Sequence, residues 1–68
     1  MIIYNSKEFG ALLKAKRKEL KYTQKDVSKI LGLSVGFISE LENGKKTAEL
    51  EKAIKYAVFL GFNLELSD

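Results

Sequence analysis

Helix start and stop signals recur along this 68-residue chain at intervals that leave room only for short helices. Residues that cap helix N-termini precede each of four runs of helical periodicity, and glycine or Asn-Gly follows the last three. The starts are Asn5 or Ser6, Thr23, Ser34 and Thr47, and the stops are Gly32, Asn43-Gly44 and Gly61. These signals predict four helices, over about 7–20, 23–31, 34–42 and 47–60.

Apolar residues recur along one side of each predicted helix and form the predicted core. They are Phe9, Leu12, Leu13, Leu20, Val27, Leu31, Ile38, Leu41, Leu50, Ile54, Ala57 and Leu60. Residues 62–66 alternate with period two, which predicts a short C-terminal β-strand. The expected fold class is all-α, a compact four-helix domain plus that strand. We expect an N-terminal arm over 1–6, the helical domain over 7–61 and a tail over 62–68.

Cysteine and histidine are both absent, so disulfides, zinc sites and histidine acid–base chemistry are not expected. No nucleophile–base pair or metal-ligand cluster can be assembled, and we therefore predict no enzyme, catalytic residue, metal or cofactor. The longest apolar run, Tyr56–Phe62, is far shorter than the roughly 20 residues of a membrane span. The N-terminus has too few apolar residues for a secretory signal, which favours a cytoplasmic location.

The charge is distributed unevenly along the chain. Residues 1–29 carry eight basic and three acidic side chains, a net +5, whereas residues 30–68 carry four basic and six acidic, a net −2. A basic front half favours a polyanionic partner such as nucleic acid. A lysine-rich solvated helix face explains the same pattern.

Two short helices joined by a tight glycine turn lie at the centre of the chain, from Thr23 through Gly32 to Asn43-Gly44. This is the spacing of a helix-turn-helix, whose second helix lies in the DNA major groove. An ordinary helical hairpin has the same geometry. The basic front half favours DNA reading.

Three segments carry a closer resemblance: Thr23-Gln24, Leu31-Gly32-Leu33-Ser34 and Ile38-Ser39-Glu40-Leu41-Glu42-Asn43-Gly44. With them the chain resembles the Cro/C1-type (XRE) helix-turn-helix regulators over nearly its whole length, which implies a lambda-repressor-like domain. Phe37 to Lys45, Thr47 to Leu50 and Leu60-Gly61 make it most similar to HipB-like antitoxins.

The resemblance implies a role for individual residues. Gln24 and Ser34 would approach phosphates, as would Lys45 and Lys46, and the alternative for those two lysines is that they are only solvated. Arg17 and Glu42 match a structural ion pair of the family. The positions that would face bases are Val35, Gly36, Ser39 and Glu40.

The base-facing positions depart from better-known repressors, which place amides or arginines there. Val35 and Gly36 have no side-chain hydrogen bond to offer, whereas Glu40 can accept from a cytosine amino group. We therefore expect few direct base contacts, with DNA shape contributing more of the sequence specificity. Phe37 lies at the border between core and DNA side, and we expect it in the core.

One helix-turn-helix makes few base contacts, so we expect a homodimer that reads two operator half-sites. By resemblance the tail would pair with its copy, and the alternative is pairing with Ile2-Ile3-Tyr4 of its own chain. The predicted dimerisation residues are Val58, Phe59, Phe62, Leu64 and Leu66. The expected function is a sequence-specific DNA-binding autorepressor. The alternative, implied only by the resemblance, is an antitoxin that binds a HipA-like kinase toxin.

Overall fold

The computed structural model describes residues 5–45 and 49–62 of the chain. Four α-helices occupy these residues: α1 Ser6–Glu19, α2 Gln24–Leu31, α3 Val35–Glu42 and α4 Leu50–Phe59. The predicted all-α, four-helix fold is confirmed. Within these two ranges there is no strand, and no helix is long and apolar enough to cross a membrane. The strand predicted over 62–66 lies outside the described residues except for Phe62, which belongs to no regular element.

The helices begin where side-chain caps satisfy their first backbone N–H groups. Asn5, rather than Ser6, caps α1, because its Oδ1 accepts a hydrogen bond from the backbone N–H of Glu8 at 2.7 Å. Thr23 and Asp26 form a reciprocal capping box at the start of α2, with bonds of 3.0 and 2.8 Å. Asp26 is therefore the acid of this capping box.

The last two helices begin differently from each other. Ser34 caps α3 through a 3.0 Å bond from the N–H of Phe37 to its hydroxyl oxygen. The N-cap of α4 is Glu49, whose side chain makes no capping bond and pairs with Lys52 at 2.5 Å instead. The predicted cap, Thr47, lies outside the described residues.

The end of α3 is a Schellman motif, in which two backbone bonds close the last turn. The N–H of Gly44 donates to the carbonyl of Leu41 at 3.1 Å, and the N–H of Lys45 donates to that of Glu40 at 3.0 Å. The motif requires a left-handed residue, and Gly44 has φ 84°. A Cβ on Gly44 would also lie 2.6 Å from the Cα of Lys7, so glycine is needed here for two reasons.

Among the residues that the structure describes, nine buried apolar side chains form one core between the helices. They are Leu13, Val27, Leu33, Ile38, Leu41, Ala53, Tyr56, Ala57 and Leu60. The predictions for Leu20 and Leu50 are wrong, because these side chains are 42% and 63% exposed. Both lie at a helix end, since Leu20 is the C-cap of α1 and Leu50 is the first residue of α4. Tyr56, which is not among the predicted core residues, is fully buried.

The turn between α2 and α3 is held by side chains as well as by glycine. The Ser28 hydroxyl donates to the carbonyl of Leu33 at 2.5 Å. From α4, the Lys55 ammonium donates to the carbonyl of Leu31, at the C-terminal end of α2, at 2.9 Å. Cations at this end of a helix are favourable because its last carbonyls are unpaired. The first bond joins α2 to the turn that leads into α3, and the second joins α4 to the end of α2.

Helices α1 and α3 cross in backbone contact at Gly10. A Cβ placed on Gly10 would lie 2.2 Å from the carbonyl oxygen of Leu41 and 2.7 Å from that of Glu42. Both oxygens are backbone atoms at the C-terminal end of α3, so the close crossing depends on a missing side chain at Gly10. The sequence pattern did not single out Gly10, because a glycine inside a helix has no local signature.

We predict that Gly10→Ala lowers the free energy of unfolding by about 1–3 kcal/mol or more, since the added methyl overpacks a backbone contact. Gly36→Ala is the matched control, because a Cβ at Gly36 meets nothing within 4 Å. That control should be neutral or gain up to about 1 kcal/mol from helix propensity. Urea denaturation followed by circular dichroism measures both variants. A Gly10→Ala protein as stable as the wild type would contradict the backbone contact.

Candidate nucleic-acid interface

The exposed face of α3 is the part of the helix-turn-helix that is available to a ligand. Its opposite face is buried through Ile38, Leu41 and Glu42. The residues predicted to face bases lie together on the outer face: Val35, Gly36 and Glu40 are exposed and Ser39 is half-buried. The structure therefore brings these four positions onto one surface.

Few polar atoms of this face are without a partner inside the protein. The Glu40 carboxylate pairs with the ammonium of Lys45 at 3.2 Å, and the Ser39 hydroxyl accepts from the side-chain amide of Asn43 at 3.4 Å. Val35 contributes only apolar surface, 42% exposed, and Gly36 contributes only backbone. An apolar and sparsely polar face is what the sequence predicts for this helix.

Ser34 and Gln24 stand at the N-termini of α3 and α2, where backbone N–H groups have no helical acceptor. Ser34 uses its hydroxyl oxygen as the cap acceptor, which leaves the O–H proton as a donor. Gln24 is half-buried, and one amide N–H donates to Glu42 Oε1 at 3.2 Å. Only its second amide N–H and its backbone N–H are available for a phosphate.

Arg17 and Glu42, the predicted ion pair, lie at the centre of a buried network. Arg17 Nε donates to Glu42 Oε2 at 2.7 Å, and Arg17 Nη2 donates to Oε1 at 3.0 Å. The third nitrogen, Nη1, donates to the carbonyl of Tyr22 at 2.8 Å and so ties α1 to the start of α2. The hydroxyl of Tyr56 donates to Glu42 Oε2 at 2.5 Å. One carboxylate of α3 thus receives bonds from all three other helices.

The network shifts the ionisation of its members. Burial by itself would raise the pKa of Glu42, but the hydrogen bonds from Arg17, Tyr56 and Gln24 outweigh it and hold that pKa below its ordinary value. The bond to Glu42 raises the pKa of Arg17, and burial together with the same carboxylate raises the pKa of Tyr56 above its usual range. Glu42 is therefore a permanent anion near neutral pH.

The amino-acid sequence did not indicate two bonds of this network, the one from Tyr56 to Glu42 and the one from Gln24 to Glu42. A signal for Tyr56 existed, because a tyrosine inside an apolar helix stripe needs a partner for its hydroxyl once it is buried. The partner itself, Glu42, is 14 residues away in sequence, and no local pattern connects the two.

The other residues with a predicted role, mainly in dimerisation, differ in how exposed they are. Val58 is 60% exposed on α4, whereas Phe59 and Phe62 are half-buried against the core, with the Phe59 ring 5.3 Å from that of Tyr22. Phe37 also packs on the core, with the Lys52 ammonium 5.9 Å from its ring centroid. Lys46, Leu64 and Leu66 lie outside the described residues.

Comparison with known proteins decides which family has this arrangement. The helix-turn-helix family model matches residues 13–66. The chain belongs to the Cro/C1-type helix-turn-helix family. It is 32% identical to the "ImmF control region 10 kDa protein" of Bacillus phage phi105 over 62 residues, which cover 91% of this chain and 69% of that protein. This helix-turn-helix protein is thus a DNA-binding transcriptional regulator.

The chain is also similar to a second curated protein and to a solved structure. The "Uncharacterized HTH-type transcriptional regulator y4mF" of Sinorhizobium fredii is 32% identical over 59 residues, covering 87% of this chain and 78% of that protein. A solved structure titled "MDT Protein" superposes with a TM-score of 0.84 at 25% identity, covering 100% of this chain and 96% of that one. The fold of the whole chain is therefore shared with this solved structure.

We predict that Glu42→Gln lowers the free energy of unfolding at pH 7 by about 3 kcal/mol, because it leaves the buried Arg17 without a counter-charge. The wild type should also lose stability as pH falls from about 5, since the folded-state pKa of Glu42 lies below its unfolded value and protonation removes the stabilisation. This acid-dependent loss should be smaller in Glu42→Gln. Urea titrations from pH 7 to pH 3 measure it.

Two variants accompany this measurement. Tyr56→Phe removes one donor and should cost about 1.5–3 kcal/mol, which keeps the test informative if Glu42→Gln does not fold. Glu19→Gln removes an exposed pair with Lys16 and should leave stability within about 0.5 kcal/mol of the wild type. Wild-type stability that does not change between pH 5 and pH 3 would contradict the ionised network.

Proposed function

We propose that this regulator is a dimeric autorepressor that binds an operator through the major groove with the exposed face of α3. The observation that carries the proposal is the outer face of α3 formed by Val35, Gly36, Ser39 and Glu40, with the capped N-terminus Ser34 at one end. An exposed helix of this kind enters the groove while helix N-termini approach phosphates. Repression would follow from occlusion of RNA polymerase at the operator.

Phosphate contacts supply most of the affinity in this proposal. Ser34 donates its hydroxyl proton, Gln24 its backbone N–H and second amide N–H, and Lys45 and Lys46 supply positive charge. Exposed lysines of α1 and α2 add long-range attraction, because the first 29 residues carry a net +5. Since Val35 and Gly36 offer no side-chain donors or acceptors, discrimination rests on few base contacts and on DNA shape.

The dimer is supported by an apolar stripe on α4. Leu50, Ile54 and Val58 fall at i, i+4 and i+8, and Leu50 and Val58 are 63% and 60% exposed. The stripe runs towards Phe62 and the tail predicted to pair across the dimer. We propose that the stripe and the tail, including Leu64 and Leu66, form one interface that spaces two copies of α3 for successive half-sites.

The antitoxin function stays a prediction from the resemblance to HipB-like proteins. It requires a HipA-like kinase toxin as the second partner. The DNA-binding experiment separates it from autorepression, because an autorepressor binds its operator specifically with no other protein present.

We expect the purified protein to prefer a duplex from upstream of its own gene over a scrambled duplex by about a thousandfold. Binding should saturate at two protomers per site and weaken steeply as salt increases. Fluorescence anisotropy at two salt concentrations measures both duplexes. Ser34→Ala should weaken binding to both, whereas Asn5→Ala, which removes a cap of the same kind from α1, should not. Equal affinity for the two duplexes would contradict autorepression and favour the antitoxin function.

We predict that Val58→Lys shifts the protein from dimer to monomer, because it places a charge in the apolar interface. Leu64→Lys should do the same. Glu51→Lys adds a lysine at an exposed position of α4 outside the stripe and is the control. Sedimentation equilibrium measures the mass of each variant. Dissociation by Val58→Lys but not by Leu64→Lys would assign the tail to its own chain, and a wild-type monomer would contradict the interface altogether.

A further inference from the structure

Glu40 is an acidic side chain in the middle of the face that the proposed function places against DNA. Its side chain is 57% exposed, so its position is not explained by packing. A carboxylate with no partner is repelled by the DNA phosphates, and this repulsion lowers the affinity for every DNA sequence equally. A residue with such a cost needs a compensating interaction, either within the protein or with a base.

The compensating charge within the protein is placed by the backbone. The Schellman motif at the end of α3 brings the N–H of Lys45 to the carbonyl of Glu40, and the two side chains meet at 3.2 Å. Gly44, with φ 84°, makes this turn possible. Lys45 is also 64% exposed, so its ammonium is able to reach a phosphate as an alternative partner.

The chemistry of the major groove decides between these partners. A carboxylate only accepts hydrogen bonds, and the amino group of cytosine N4 is a donor with no acceptor at its own major-groove edge. Guanine and the O4 edge of thymine present acceptors, which repel a carboxylate. Next to cytosine, Glu40 gains a base partner and no longer requires Lys45. Next to guanine or thymine, Glu40 still requires Lys45 as its counter-ion.

On this basis, and given the proposed function, we propose that Glu40 is a specificity-determining residue that selects cytosine and that Lys45 is its exchangeable counter-ion. At a matched site Glu40 accepts from cytosine N4 and Lys45 moves to a phosphate. At an unmatched site Lys45 stays paired with Glu40. A matched base therefore adds two contacts, one from Glu40 to the cytosine and one from Lys45 to a phosphate. This matters because the outer face of α3 has few other polar groups.

The exchange has a consequence for salt dependence that a simple base contact lacks. Each phosphate neutralised adds about 0.9 to the slope of log affinity against log salt. The wild type should therefore show a steeper slope on matched than on unmatched DNA, by about 0.9 per protomer. In Glu40→Gln, Lys45 has no carboxylate to stay with, so the slope should be steep on both.

The test starts from duplexes selected out of a random library by the wild type, by Glu40→Gln and by Glu40→Ala. Wild-type sites should share a cytosine at one position of each half-site, and Glu40→Gln should shift that position to adenine, which pairs with an amide side chain. Replacing the cytosine by thymine should cost the wild type about fivefold or more in affinity and Glu40→Ala nothing. Glu19→Gln, which removes the matched exposed pair on α1, should behave like the wild type.

Three results would overturn the inference. If the base replacement costs Glu40→Ala as much as the wild type, or if the wild-type salt slope is equal on matched and unmatched DNA, the exchange does not occur although the proposed function stands. If the wild type selects no sequence from the library, the proposed function itself fails and takes this inference with it.

Discussion

Glu42 holds a negative charge where only 4% of the residue is exposed, and the position of every helix depends on how that charge is satisfied. A carboxylate removed from water costs several kcal/mol unless it is paired and fully hydrogen-bonded. Arg17 from α1, Gln24 from α2 and Tyr56 from α4 provide the bonds. Within the described residues no buried side-chain nitrogen or oxygen is left without a partner. A change in any helix position would leave part of this charge unsatisfied.

The same network connects the core to the DNA-binding face. Glu42 is the last residue of α3, and Gln24 is the first of α2, so their bond joins the two halves of the helix-turn-helix at the interface side. The Gly10 crossing holds α1 against the carbonyls of Leu41 and Glu42. The end of α3 is therefore supported from two directions, and its outer face keeps one orientation. A face with few polar groups needs such rigidity, because each base contact has to be placed accurately.

Features that depend on bonds between residues close in sequence were predictable, and features that depend on contacts between distant residues were not. The caps at Thr23 and Ser34 and the stop at Gly44 were predictable because their hydrogen bonds join residues within five positions of each other. Arg17 and Glu42 came from family resemblance, since 25 residues separate them. Neither source indicated Gly10, because the need for glycine arises only where another helix passes. Periodicity placed the exposed Leu50 in the core and left the buried Tyr56 out of it for the same reason. It defines an apolar stripe on a helix, but not which part of that stripe a neighbouring helix covers.

The amino-acid sequence by itself therefore determined where α2 and α3 begin and end, and that the chain is a helix-turn-helix regulator, because these features depend on local bonds and on a family pattern. Only the tertiary structure decided which polar groups share the buried carboxylate of Glu42 and which apolar residues of α4 stay exposed. It also decided that Lys45 pairs with Glu40 on the outer face of α3. The physical reason is that burial and ion pairing depend on how distant helices pack, and the packing angle is a property of the whole chain.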